Sequence, residues 1–256
     1  MWRWPVVERQ KSLSNAAKAK VYAIHAKLIS LAAQKWWDPN LNPALYDAME
    51  KARKDSVPSD NIQRAIKKWT WEDKDWAKIE QIVYEWYWVA WVWVLVTTLT
   101  DNKNRTAASI RHIFTRFWWN LWESWSLKFV FERKWLIFID LEKYSADGLE
   151  WLVFETEVED YLVEDGLFKV ITTLENFTIV KNFFKEKWIE LDFADLDYIP
   201  NNEMEVTDFD NALKLTKMLE AFKEDEDVEK ITVNMIISPE LQKEVYEFIE
   251  KNTFRT

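Results

Sequence analysis

The sequence predicts an α+β chain in three parts: an N-terminal three-helix bundle, a central α/β domain, and an inserted ferredoxin-like βαββαβ domain. Three observations lead there. The first 76 residues carry helical apolar spacing with Pro-marked helix starts. β-branched runs then open the middle of the chain. From Trp135 onward the order of runs reads strand, helix, strand, strand, helix, strand, the split βαβ pattern. The expected domains are 1–76, then 77–133 joined with 200–256, and 134–199 between them.

In the first part, residues 8–34 are rich in Ala, Lys and Leu, and Val21, Ile24, Leu28 and Leu31 fall on one helix face. Asn42-Pro43 reads as an N-cap with Pro at the first helical position. It opens a second helix through Leu45, Met49 and Ala52, and Pro58 opens a third over 62–68. Short turns between three helices make a small bundle. The second part should hold strands at 79–85 and 92–100, a helix at 104–117 and a strand at 127–132. In the third, strands at 136–141, 160–163, 167–172 and 189–196 alternate with helices at 146–156 and 174–187, and Asp165-Gly166 is a hairpin signal. Tyr198-Ile-Pro-Asn201 reads as a linker. The tail should be a helix capped by Thr207 with Asp210 three residues on, a strand at 228–235, and a helix capped by Ser238-Pro239. Too small to stand alone, this tail is expected to return to the second part.

Charge divides the chain more sharply than its net value of −10 shows. Residues 1–76 carry 14 basic and 9 acidic side chains (+5), 77–133 carry 7 and 5 (+2), and 134–256 carry 13 and 30 (−17). A basic front and an acidic back suggest a polyanion-facing surface at one end only. The chain has no cysteine, which excludes disulfides, thiol catalysis and Cys-ligated zinc and suits a reducing cytoplasm. The N-terminal segment lacks the apolar core of a signal peptide. The uncharged run 86–100 is shorter than the ~20 residues of a spanning helix, and its Val and Thr content reads as strand. A cytoplasmic protein is expected.

No arrangement of residues points to catalysis. His25 and His112 are the only histidines, far apart and without metal-ligand spacing; each is expected to serve packing or surface. No Ser/His/Asp set can be argued, and Glu224-Asp-Glu-Asp227 reads as a solvated, self-repelling face. No catalytic residue, metal ligand or cofactor is therefore expected. The segment 101–106 leaves two readings open: Asp101 or Asn102 capping a helix, or Lys103 and Arg105 meeting phosphate at a helix start.

Eighteen tryptophans stand beside two glycines. Average usage puts glycine at about 7%, or roughly 18 in a chain of this length. Many tryptophans sit where glycine belongs. Trp69 and Trp118-Trp119 follow helical runs, where a C-cap wants a left-handed residue, and Trp36-Trp37 precede the turn signal Asp38-Pro39. UGA is read as stop, as tryptophan or as glycine in different lineages, and most of these letters are read here as glycines encoded by that codon. Trp151, inside a predicted helix, fits that reading least. With glycine substituted, 86–93 contains G-x-G-x-x-G. A dinucleotide fingerprint must open a helix, however, and a strand follows here, so a glycine-rich bend between strands is the better reading.

Read in this way, the chain resembles the YebC/PmpR family, which includes the mitochondrial translational activator of cytochrome oxidase. Asp38-Pro39 with Asn42-Pro43 is similar to the family's GGDP…NP segment, and residues 57–68 to its MPxDNIxRAIKKG. Tyr84-Glu85-Trp86-Tyr87 is similar to YEGY, residues 100–106 to TDNRNRT, and Arg111-His112 through Trp122 to RHxFxKxGGNLG. Trp125-Ser126-Leu127 and Tyr198-Ile199-Pro200 are similar to GSV and YIP. The family's usual N-terminal GHSKWANIKHRK is replaced by residues 1–11, and its FTKLIRE corresponds to 22–28 with fewer basic residues. The resemblance implies the same three-domain organisation and no enzymatic activity. It also implies DNA-binding transcriptional regulation, or ribosome-associated translation factors that relieve stalling at proline runs.

The reading that results is a non-enzymatic nucleic-acid-binding regulator, with DNA or ribosomal RNA as partner and no membrane or small-molecule substrate. Phosphate contacts are expected from Arg9, Lys11, Lys18, Lys20, Lys27, Arg53, Lys54, Arg64, Lys67 and Lys68, extended by Lys103, Arg105 and Arg111. Such contacts give affinity and salt dependence rather than sequence choice. The loop 118–126, if glycine-rich, could approach RNA backbone closely. Neither an aromatic RNP pattern nor an obvious recognition helix is present. The competing class is a protein-interaction scaffold without nucleic-acid binding.

Overall fold

The computed structural model describes residues 15–67, 78–88, 92–117, 130–164 and 166–253. It is a mixed helix and sheet structure whose described residues form two compact units. One unit comprises 15–117 with 203–253, and the other 130–202.

The first unit begins with α1 (Asn15–Ala33), α2 (Pro43–Lys54) and α3 (Ser59–Lys67). As expected, Asn42 caps α2: its side chain accepts from the Leu45 N–H at 3.2 Å, with Pro43 in the first turn. Leu45, Met49 and Ala52 of α2 and Ile62, Ala65 and Ile66 of α3 close on Ile29 and Ala33 of α1. The face of α1 that enters this core runs through Tyr22, Ala26, Ile29 and Ala33, one position along from the expected Val21–Leu31 row. α1 is apolar on more than one side because it also touches a strand of the unit's sheet.

That sheet has the order β1-β2-β8, from β1 (Glu80–Trp88), β2 (Val92–Thr100) and β8 (Val228–Val233). Both pairings are antiparallel, with Glu80 opposite Thr100 and Val96 opposite Ile231. β2 is central and almost wholly buried, which is why it carries no charge. The tail therefore does return to the middle of the chain. The expected bend over 86–93 is narrower than predicted: Trp86 and Trp88 lie in β1 and Trp93 in β2, paired with Tyr87. Residues 89–91 lie outside those described. α4 (Lys103–Arg116), α7 (Phe209–Glu224) and α8 (Pro239–Thr253) supply Phe114, Leu215, Leu219, Phe222 and Val245 to a core shared with Val94 and Val96. α7 is capped by Asp208, one residue after the expected Thr207, its carboxylate accepting from the Asn211 N–H at 2.9 Å. β7 (Met204–Glu205) and β9 (Met235–Ile236) form a short parallel pair.

The second unit holds β3 (Phe131–Asp140), α5 (Ala146–Val153), β4 (Asp160–Glu164), β5 (Leu167–Thr172), α6 (Phe177–Glu186) and β6 (Phe193–Pro200). Its antiparallel sheet has the order β4-β5-β3-β6, as the split βαβ pattern requires. Ile137, Ile139, Phe168 and Val170 face Leu149 of α5 and Val180 and Phe184 of α6, while Leu136, Phe138 and Ile171 line the other face. Two expectations fail here for one reason. The gap between the strands expected at 127–132 and 136–141, and residues 198–200 of the expected linker, are strand: Phe131 pairs with Pro200 and Arg133 with Tyr198, so charged and Pro-containing ends are carried by the ladder; residues 127–129 lie outside those described. Gly166, at the hairpin, has φ 73°.

Candidate nucleic-acid interface

The predicted basic residues separate into those committed to other parts of the protein and those turned outward. Asp227, the residue before β8, organises the first group. Its carboxylate accepts from Lys27 Nζ of α1 at 2.7 Å, from Arg105 of α4 at 3.0 Å and from Thr106 Oγ1 at 2.8 Å. With its one proton given to Asp227, Thr106 Oγ1 accepts from the Thr100 hydroxyl at 2.6 Å, and Arg105 reaches Asp101 at 2.9 Å. The Asp227 side chain is only 8% exposed. Burial opposes its ionisation, and hydrogen bonds from Lys27, Thr106 and Arg105 outweigh burial and hold the carboxyl below its usual range.

Lys27 Nζ also donates to the Glu226 carbonyl at 2.9 Å, and Lys20 donates to the Lys223 carbonyl at the end of α7. Ammonium groups at a helix C-terminus meet the negative end of its dipole. Burial lowers the pKa of Lys20, with the Asp225 charge opposing. Of the Glu224–Asp227 run, expected to be a solvated face, Glu224 and Glu226 do have exposed side chains, while Asp225 and Asp227 take Ser109, Lys27 and Arg105 and so fasten α1 and α4 to the start of β8. Lys20 and Lys27 are half-buried against this segment, whereas Arg105 reaches Asp227 from the surface, its side chain 55% exposed.

The second group faces solvent. Arg53 and Lys54 end α2, and Arg64 and Lys67 lie one turn apart on α3; all four are exposed on sides opposite the buried Ala52, Ile62, Ala65 and Ile66. Arg53 pairs with Glu50, and Arg64 bonds Asn61 on its own helix. Lys18 and Arg111 are exposed as well. Lys18, Lys54 and Arg111 have no ion-pair partner among the described residues. Lys103 is exposed and pairs with Glu80 at 2.6 Å. Arg9, Lys11 and Lys68 lie outside the described residues, as does the loop 118–126.

At the start of α4 the cap is Asn102: its side chain accepts from the Arg105 N–H at 3.1 Å. Of the histidines, His25 is buried, with Nε2 2.6 Å from Asp55 at the end of α2, whereas His112 is exposed. This fixes α1 against α2, a packing role. Among the described residues no group of His, Asp and Glu is placed to hold a metal ion, and no helix is long and apolar enough to cross a membrane.

What fold and surface define is an α+β protein with exposed basic side chains on two helices of its bundle. Comparison with known proteins gives the family. The TACO1/YebC protein N-terminal domain matches residues 2–72, and the TACO1/YebC second and third domain matches 79–235. A probable transcriptional regulatory protein of Treponema denticola is 37% identical over 92% of this chain and 95% of its own length. Proteins of the same description from Persephonella marina and Finegoldia magna are 36% and 35% identical, covering 95% and 91% of this chain and 98% and 96% of theirs. The crystal structure of a conserved hypothetical protein from Aquifex aeolicus superposes with a TM-score of 0.81 at 30% identity, over 92% of this chain and 97% of that one. The chain belongs to the TACO1/YebC family.

Proposed function

We propose that this chain is a non-enzymatic, cytoplasmic regulator of gene expression that binds nucleic acid through the outward basic residues of its helical bundle. The observation that carries the reading is the placement of Arg53, Lys54, Arg64 and Lys67, all exposed on sides of α2 and α3 that the bundle core does not use. Lys18, Lys103 and Arg111 extend the basic surface of the same unit. The names of the relatives, probable transcriptional regulatory proteins, support a regulatory role. Three domains, with boundaries at 1–76, 77–133 with 200–256, and 134–199, are part of this proposal, as are Arg9, Lys11 and Lys68 as further phosphate contacts.

Phosphate contact without a base-reading helix suits a ligand read by shape, so structured ribosomal RNA is preferred here over a single promoter, and a role as a translation factor at proline runs follows from that preference. The test is titration of duplex DNA and of an rRNA fragment against the protein and its Arg64→Glu, Lys67→Glu variant across a salt series. The reading expects salt-dependent binding that weakens in the variant. Absence of binding to either polymer at low salt would favour the scaffold reading instead.

A further inference from the structure

Two non-glycine residues among those described have positive φ: Ser56 at 58° and Trp188 at 59°. Both occupy the same place in the same motif. After α2, the Val57 N–H donates to the Ala52 carbonyl at 2.9 Å and the Ser56 N–H to the Arg53 carbonyl at 3.0 Å. After α6, the Ile189 N–H donates to the Phe184 carbonyl at 2.9 Å and the Trp188 N–H to the Lys185 carbonyl at 3.1 Å. This nested pair is the Schellman helix ending, whose left-handed residue is most often glycine. Serine is small. Tryptophan brings a bulky Cβ substituent into a region where L-residues are strained by roughly 1–2 kcal/mol.

Nothing around the indole compensates. Trp188 is 91% exposed, so its side chain gains almost no burial. Nor is the backbone free to relax: Tyr144 Oη donates to the Trp188 carbonyl at 3.5 Å and accepts from the Glu190 N–H at 2.8 Å. The turn suits a residue without a side chain, as at Gly166, which also has positive φ. Trp135, by contrast, stacks on Phe177 at 3.9 Å and earns its place by packing.

We infer that the residue at position 188 is glycine in the protein its own cell makes, the codon being UGA read as glycine. The inference is independent of the nucleic-acid reading. One decoding rule applies to every UGA in a gene, so the same replacement occurs wherever that codon specifies a residue written here as tryptophan, and UGG-encoded tryptophans remain. The shallow depression beside Lys185, Glu186 and Ile189 is then a product of the indole rather than a ligand site.

The experiment is mass spectrometry of the protein purified from its own cells. The tryptic peptide that begins after Lys187 is expected about 0.13 kDa lighter than the written sequence, the whole indole side chain being absent. The intact mass is expected lighter by a whole multiple of that step. A tryptophan mass in that peptide overturns the inference. A second measurement tests its physical basis: in recombinant protein, Trp188→Gly is expected to raise Tm by a few degrees and Trp188→Ala by clearly less, because alanine keeps a Cβ. Equal gains from the two variants would show that backbone strain at this position is not the cause and would overturn the structural argument.

Discussion

Lys20, Lys27 and Arg105 belong by sequence with Arg53, Lys54, Arg64 and Lys67, since all seven lie in the basic first half of the chain. Their partners separate them. The first three reach acidic or carbonyl oxygens of the Lys223–Asp227 segment, more than a hundred residues away in sequence. The other four stay on the surface of α2 and α3. A positive charge count therefore overstates the binding surface by whatever the acidic half of the chain neutralises within the fold. The same residue type ties distant segments together in one place and stays on the helix surface in the other.

The largest expected effect comes from breaking the inward set at its centre. Asp227→Ala leaves Lys27, Arg105 and the Thr106 hydroxyl without their shared carboxylate, and loss of hydrogen bonds to a charged group costs about 2 kcal/mol; a urea or thermal unfolding curve measures it. The effect depends on pH in a defined direction. The Asp227 pKa is lowered in the folded state by hydrogen bonds that outweigh the cost of burial, so its contribution is present above the unfolded pKa of about 3.9 and fades as pH falls through the lower folded value. The stability gap between the protein and Asp227→Asn should hold at neutral pH and narrow below about pH 4. A gap constant from pH 7 to pH 2 would mean that packing, not charge, is what Asp227 provides.

Next in size is the outward set. Arg64→Glu with Lys67→Glu should weaken nucleic-acid binding at least about tenfold at low salt and reduce the slope of log K against log salt by roughly two. Stability should change by no more than about 0.5 kcal/mol, as for surface positions generally. Lys27→Met gives the reverse pattern: about 1–2 kcal/mol of stability lost with little change in binding. If Lys27→Met instead weakened binding as strongly as the α3 pair, the division into inward and outward sets would be wrong.

How much of this was legible in sequence follows from the range of the interactions. Asn42-Pro43 and Gly166 act within a few residues, and the start of α2 and the hairpin were readable there, whereas at 101–106 the Asn102 cap was one of two readings left open. The β3 and β6 boundaries were not readable, because Arg133 and Tyr198, far apart in sequence, become strand only by pairing with each other. The same holds for the site. Exposure of Arg64 and Lys67 follows from the helical period of Ile62, Ala65 and Ile66, whereas the capture of Lys27 by Asp227 is a tertiary event with no local signal. Glu224 and Glu226 are solvated as expected, but Asp225 and Asp227 are not, because their partners lie on α1 and α4. The shift of the buried face of α1 by one position has the same origin, since a helix packed on two sides carries no single apolar stripe.

Lys103 tests the boundary between the two sets. It sits in the first turn of α4, two residues from Arg105, and pairs with Glu80, yet the side chains of the pair are 59% and 41% exposed. An ion pair so open to water contributes at most about 1 kcal/mol and often nothing measurable. Lys103→Gln should therefore leave the unfolding midpoint nearly unchanged. If Lys103 belongs with the outward set, the same variant should lower the salt slope of nucleic-acid binding by roughly one, because an exposed pair can exchange Glu80 for phosphate at little cost. If it belongs with Arg105, held by the protein's own acid, the slope should not move. Measuring both quantities on one variant places Lys103 on one side or the other, and with it the edge of the basic surface along α4.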